Sequence, residues 1–401
     1  MSKFQERLDT LCPEGVPFKK LRDVCDNIFA GGTPNTANSD YYDGDIPWIR
    51  SGEVDFNFIR SAERNITQAG YENSSAKWIR KNSVVMAMTG ATVAKSAVVE
   101  FATTANQSVA ALEPSEEIDY KFLYYYISSQ YERIKGMAQG ALTSINLQII
   151  KDIVVPVPPL EVQRKIVEVL DNFSELTAEL TAELTARQKQ YEYYRDNLLS
   201  FNNINRGGQN EVKWLTIGDI GEVKMCKRIM KNQTNTLGGV PFYKIGTFGK
   251  VADSFISKEL YSRYKRLYPF PKVGDILISA SGTIGRSVVY DGDDAYFQDS
   301  NIVWVDNDET VVLNTYLRYL YQIIEWKVEG GTIKRLYNDN LKSTQIAVPS
   351  IKEQRKIVSI LDTFEALNNS LTEGLPAEIK ARQQQYEYYR DKLLTFPRKA
   401  C

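Results

Sequence analysis

Two stretches of the chain carry a helical pattern longer than a core helix needs. From Leu160 to Phe201 there is no Gly or Pro. Apolar or aromatic residues recur at Ile166, Phe173, Leu180, Tyr194 and Phe201, and on a second heptad position at Leu170, Leu184, Tyr191 and Leu198. Thr177 and Arg187 interrupt the pattern. This spacing predicts a coiled-coil seam and, at 1.5 Å per residue, a helix roughly 63 Å long. A second copy begins at Ile351 and is interrupted by Gly374-Leu375-Pro376. Gly closes helices and Pro opens them, so a break is expected there, with a helix resuming from Pro376 to Phe396.

The remaining regions read differently. Short β-like runs such as SVVMAM, SAVVEF, DILISA and NIVWV are separated by Gly, Asn, Asp and Pro. Each region ends on a helix-like stretch, IDYKFLYYYISSQYERIK in the first and LNTYLRYLYQIIEWKV in the second. Each predicts a compact α/β domain.

The two halves are copies. RQKQYEYYRDNLLSF (Arg187 to Phe201) matches RQQQYEYYRDKLLTF (Arg382 to Phe396), and QRKIVEVLDNF (Gln163 to Phe173) matches QRKIVSILDTF (Gln354 to Phe364). A β-like run ending in Pro precedes each, IVVPVPPLEV and IAVPSIKEQ. Fainter echoes pair VPFKKLRDV with VKWLTIGDI, IPWIRSGEV with VPFYKIGTF, and GATVAKSAVV with GTIGRSVVY. The expected class is α+β: two α/β domains joined by two long helices, internally duplicated. The boundaries fall at 1–155 and 206–348 for the domains, and at 156–205 and 349–401 for the helical segments.

Composition narrows the chemistry. The chain has no histidine, which removes Ser-His-Asp and Cys-His catalysis and His-based metal sites. The four cysteines are scattered, fitting reduced thiols in a cytoplasm. The opening MSKFQERLDT has no apolar core of a signal peptide, and no run of 18 apolar residues exists, so the expectation is a cytoplasmic protein with no membrane contact. GATVAKS and SGTIGRS depart from the phosphate-loop spacing and read as tight turns between strands. No dinucleotide fingerprint and no NPPY- or DPPY-like tetrapeptide is present. No catalytic, cofactor-binding or metal residue is therefore assigned.

Net charge is −1, yet charge is segregated. Twelve Lys/Arg stand against four Asp/Glu between Lys213 and Lys272, and one Arg against eight acids between Val273 and Leu313. This pattern predicts a basic face opposite an acidic one, and a polyanionic partner. The candidate phosphate-contacting residues in the first half are Gly31, Gly32 and Thr33 of AGGTP, where main-chain N–H groups can approach an anion, with Arg50, Lys77, Arg80 and Lys95. In the second half they are Lys224, Lys227, Arg228, Lys231, Arg263, Lys265, Arg266 and Arg286. The turns GALTSIN and GGTIKRLY add Thr143, Ser144, Lys334 and Arg335. In the repeated heptapeptide, Tyr191, Tyr193, Tyr194 and Arg195, with Tyr386, Tyr388, Tyr389 and Arg390, form a candidate protein-docking face. A self-contained helix pair would more simply use Leu, whereas Tyr adds a hydroxyl that needs a partner or water.

Taken together, IVVPVPPLEVQRKIV, IAVPSIKEQRKIV, the two QYEYYRD segments and GGTP resemble the specificity subunit of type I DNA restriction–modification systems, over essentially the whole chain. The resemblance implies two target-recognition domains, each reading half of a split site on double-stranded DNA. It implies conserved helices packed as an antiparallel spacer, two docked methyltransferase subunits, and restriction motor-nuclease subunits. S-adenosylmethionine and ATP would be used by those partners, and this chain would hold no cofactor. The second domain departs from the pattern, with CKRIM near the place of GGTP. Rival readings are a protein-interaction scaffold and an enzyme with an unrecognised site. Finally, ELTA occurs three times from Glu175 to Ala186. One unit adds about 6 Å of rise and about 40° of rotation, close to the turn of one base pair, so the repeat reads as a ruler for the unread spacer between half-sites.

Overall fold

The computed structural model describes residues 10–138, 144–201, 212–331, 334–369 and 375–399. Among them, the helices of ten residues or more are α1 (Tyr120–Ser129), α2 (Leu160–Ser200), α3 (Lys258–Leu267), α4 (Asn314–Ile323), α5 (Ile351–Asn369) and α6 (Leu375–Leu393). The chain forms two compact units, one of residues 1–180 with 378–401 and the other of residues 181–377. The run without Gly or Pro yields α2 as one helix of 41 residues, and the division between units falls within it. In the second copy the described helices are α5 and α6; the expected break at Gly374 lies outside the described residues.

The first unit is built on a five-stranded sheet in the order Cys25–Ala30, Val109–Pro114, Ser83–Ala87, Ser96–Val99, Phe58–Ile59. The run SVVMA is buried at every position, as befits a central strand covered on both faces. Helix α1 lies against it, with Phe122, Leu123 and Ile127 buried among Val84, Met86, Val98 and Leu112. Each such side chain contributes about 1.5–3 kcal/mol of burial. Ile166 and Leu170 of α2, with Leu393, Leu394 and Phe396 of the repeat's second copy, enter the same core.

The second unit repeats this plan. Its sheet runs Gly221–Lys224, Ile302–Asn307, Ile276–Ser279, Ser287–Val289. Tyr316, Leu317 and Leu320 of α4, Leu199 of α2, and Ile357 and Leu361 of α5 share one core. The faint sequence echoes occupy matching places. Phe18–Lys20 pairs antiparallel with Val154–Pro156, and Lys213–Thr216 with Gln345–Val348. GATVAKS and SGTIGRS are turns between antiparallel strands. The helix expected through IIEWKV stops at Ile323, because Ile324 turns to extended backbone (φ −71°, ψ 126°) and Trp326 then packs over Gly285 (φ +82°).

Each heptapeptide serves the domain encoded by the other repeat. Tyr386 and Tyr389 pack on the first unit's core, where Tyr389 stacks on Phe173 at 5.4 Å. Tyr191 packs on the second unit's core, and Tyr194 stacks on Phe364 at 5.7 Å.

Candidate nucleic-acid interface

In the second unit, two cation clusters far apart in sequence converge around Tyr296. Helix α3 starts at Ser257, whose hydroxyl accepts from the Leu260 N–H at 3.2 Å. Its apolar side buries Tyr261 and half-buries Leu260 and Tyr264, packed with Phe270 and Tyr296. By the 3.6-residue period its exposed side carries Lys258, Ser262, Arg263, Lys265 and Arg266, with Glu259 as the one acid. The Lys227 carbonyl accepts from the Tyr296 hydroxyl at 3.0 Å, and the Lys227 ammonium lies over the Tyr268 ring at 5.1 Å. The Lys227–Lys231 loop is thereby fixed beside the end of α3. Lys265 is held by the Tyr261 hydroxyl at 2.7 Å and lies over the Tyr261 and Phe270 rings at 5.0 and 4.9 Å. A cleft of about 470 Å³ is lined by Lys258, Ser262, Lys265 and Arg266, with Tyr261 and Asp294. Burial, and next the bond to Asp294, raise the Tyr261 phenol above its ordinary pKa, so it stays a neutral donor.

Acids of the acidic stretch stand among the cations, which corrects the segregated picture. Asp306 pairs with Lys224 and, at 2.8 Å, with Lys272, and these two bonds hold its carboxyl below the usual range. Asp299 lies 3.8 Å from Arg228. Lys224 is thus engaged inside the domain. Arg286 donates to the Phe248 carbonyl at 2.9 Å, and Arg335 to Asn301 Oδ1 at 2.9 Å and the Ser300 carbonyl at 3.2 Å. Lys231, Arg263, Arg266 and Lys334 are exposed.

The first unit places its candidates apart. The AGGTP amides are not free to cradle an anion: Gly31 N–H donates to the Val109 carbonyl at 3.0 Å and Gly32 N–H to the Ala105 carbonyl at 2.8 Å. Both glycines are there for close packing, since a Cβ would meet Ala105 O at 2.2 Å on Gly31 and Ala76 N at 2.2 Å on Gly32. Thr33 bonds to Gln107. Arg50 pairs with Glu63 at 2.6 Å, Arg80 with Asp26 at 2.8 Å, and Lys95 with Asp55. Lys77 is exposed over the Phe29 ring. Ser144 bridges Thr89 as Arg335 bridges Ser281, so the two pre-helix turns occupy matching places; Thr143 lies outside the described residues.

The heptapeptides divide into inward and outward residues. Tyr191, Tyr386 and Tyr389 pack on the cores within the chain, and Tyr194, 41% exposed, stacks on Phe364. Arg195 lies over Tyr191 and Arg390 over Tyr386, at 5.7 and 5.8 Å. Their side chains are only 17% and 25% exposed. Tyr193 and Tyr388 are 66% and 60% exposed.

Sequence reasoning noted the repeated QRKIV but missed its work. Gln163 is fully buried. It accepts from the Asp119 N–H at 2.7 Å and donates to the Pro158 and Glu117 carbonyls at 2.7 and 3.0 Å. Gln354 does the same with the Leu313 N–H, Pro349 and Val311, all at 2.9 Å. The Asp of each LD motif receives a Tyr hydroxyl: Tyr125 to Asp171 at 2.6 Å and Tyr319 to Asp362 at 2.5 Å. A Gln invariant between copies, followed by a helix-phase Asp, was the available signal.

Among the described residues no group of three or more His, Cys, Asp or Glu is placed to hold a metal ion, and no helix is long and apolar enough to cross a membrane. Burial pushes the Cys25 and Cys226 thiols up to about 12.

Residues 13–187 and 209–381 each match the family model of the type I restriction modification DNA specificity domain. A protein named as a type I restriction enzyme specificity subunit from Haemophilus influenzae is 51% identical over 391 residues, covering 95% of this chain and 91% of that one. A type I restriction enzyme specificity subunit from Escherichia coli is 34% identical over 302 residues, covering 69% and 71%. A solved chain from a study of complex assembly and conformational transition of the type I R-M system superposes with a TM-score of 0.68 at 18% identity, over 96% of this chain and 98% of that one. The S subunit of the Type-I restriction-modification system of M. genitalium gives 0.51 at 16% identity, over 95% and 96%.

Proposed function

Because the chain belongs to the type I restriction modification DNA specificity family, we propose that it reads an asymmetric, bipartite site on double-stranded DNA, one half-site per domain. The carrying observation is the contrast within the duplication. The junctions between helix and domain repeat nearly residue for residue, while the surfaces of the two domains differ in charge and in helix length. Equal mounts with unequal readers give two different half-sites.

The chain acts in this reading as the non-catalytic subunit of a cytoplasmic complex. Two methyltransferase subunits dock on the outward Tyr193 and Tyr388 and transfer methyl groups to adenine, and restriction motor-nuclease subunits join them and use ATP. Helix α2 carries the ELTA units, in which Leu176, Leu180 and Leu184 are half-buried and the Glu residues exposed, so a unit can be lost without opening a core. The test is methylome mapping in cells that express the complete system with the parent chain, then with one ELTA unit deleted. The expected parent motif is bipartite and asymmetric, and the deletion shortens its spacer by about one base pair with both half-sites kept. A continuous or palindromic parent motif would overturn the reading.

A further inference from the structure

The two domains can be compared position by position. Lys19 pairs with Val155 and Lys213 with Val348, each just before the marker prolines Pro156 and Pro349. Arg80 and Lys272 each stand two residues before a left-handed residue, Asn82 (φ 67°) and Gly274 (φ 93°), that precedes a central strand. Between these markers the first domain has eight Lys/Arg and nine Asp/Glu, and the second has twelve and four.

The structure widens this gap. After Asn65–Ile66 the first domain has a five-residue helix, QAGYE, with no cation, capped by the Thr67 hydroxyl. After Phe255–Ile256, the same place in the second domain holds the ten-residue α3, capped by the Ser257 hydroxyl and carrying four cations. Of the first domain's candidate cations, Arg50, Arg80 and Lys95 are neutralised by carboxylates. Among the described residues, Lys231, Arg263 and Arg266 have no carboxylate within ion-pair distance and are exposed beside one another's elements.

Resting on the DNA-reading function above, we infer that the second domain is the electrostatic anchor of this protein on DNA. The exposed side of α3 and the Lys227–Lys231 loop grip the phosphodiester backbone regardless of sequence. The first domain adds few ionic contacts and engages its half-site mainly through neutral polar groups and shape. Phosphate contacts of this kind position a protein and carry its salt dependence, whereas base-edge contacts carry specificity.

The test measures affinity of the full-length chain for a 40-base-pair duplex of mixed sequence as a function of salt. Each phosphate that a variant no longer neutralises lowers the slope of log K against log salt by about 0.9. The variant K231A/R263A/R266A is expected to lower it by about 2–3, with weaker binding to every duplex alike. Arg64, Lys77 and Lys81 are exposed cations of the first domain, and the matched variant R64A/K77A/K81A is expected to lower the slope by less than about 1. The charge-keeping variant K231R/R263K/R266K should retain the parent slope, which separates charge from damage to the fold. Equal losses from the two triple-alanine variants, or no loss from the second-domain one, would overturn the anchor while leaving DNA reading intact. A parent chain with no salt-dependent binding would overturn both.

Discussion

The two helix–domain junctions keep the same hidden polar groups and differ in what stands around them. In the first, Tyr124 faces a cleft of about 560 Å³ lined also by Tyr125, Ser174, Thr177 and Tyr386. In the second, the residues at the corresponding positions are Arg318 and Glu365, and they form an ion pair, with Nη2 of Arg318 at 2.6 Å from both carboxylate oxygens. Yet Gln163 and Gln354 make the same three kinds of bond, and Asp171 and Asp362 each accept from a Tyr hydroxyl, that of Tyr125 and of Tyr319. The difference teaches where change is tolerated. A buried amide bonded to three main-chain groups cannot be replaced without stranding them, because an unmade buried hydrogen bond costs more than a made one gains. A half-exposed contact can be an aromatic cleft or an ion pair at similar stability.

The comparison breaks most sharply at the two glutamines. Gln163→Ala and Gln354→Ala each strand three main-chain groups and should destabilise their own unit by about 2–3 kcal/mol. Urea titration followed by limited proteolysis of each unit would show it. Loss below about 0.5 kcal/mol at either site would mean that water replaces the amide and that the two junctions are not equal mounts.

Next in size are the outward tyrosines. Tyr193→Ala and Tyr388→Ala should each weaken assembly with methyltransferase subunits by about thirtyfold, about 2 kcal/mol, while leaving the thermal transition unchanged. Native mass spectrometry of the titrated complex reads this directly. Full assembly at parental affinity would place docking elsewhere.

A smaller effect sharpens the difference between the junctions. Arg318→Ala should cost about 1 kcal/mol, because the pair is partly exposed (35% and 26%). Transplanting the first unit's pair as Arg318→Tyr with Glu365→Ser should recover most of it. A loss of several kcal/mol in the transplant would show that the two junctions are not interchangeable.

The smallest effect concerns Asp152 in the first unit, near its short strand pair. Bonds from Lys20, Gln148 and Arg22 hold its carboxyl down, to about 2. A carboxyl depressed in the folded state contributes stability that is present above its ordinary pKa and lost as pH falls through the folded value. Its contribution should therefore be intact above about pH 4 and fade towards about pH 2. Asp152→Asn should flatten that part of the acid-unfolding curve slightly. An identical curve would assign the acid sensitivity to other carboxylates.

Much of this architecture was legible in the chain itself. The duplication, the unbroken α2 and the strand at SVVMA follow from local periodicity, caps and breakers, which act over a few residues. The two turns that imitate phosphate loops were also readable, since their spacing is wrong for a phosphate. Other matters needed the fold. Gln163 and Gln354 look like surface residues of a polar motif until partners 44 and 41 residues away close on them. The AGGTP amides look available until Val109 and Ala105 take them. Lys224 counts as a cation in sequence, yet Asp306, 82 residues on, neutralises it. Each QYEYYRD segment stacks on the other repeat's helix, Tyr194 on Phe364 and Tyr389 on Phe173, an exchange that identical segments cannot announce. Periodicity and capping are properties of neighbouring residues, so a sequence states them. Whether a charge is free or an amide satisfied depends on distances of a few ångströms between groups remote along the chain, and only tertiary packing sets those.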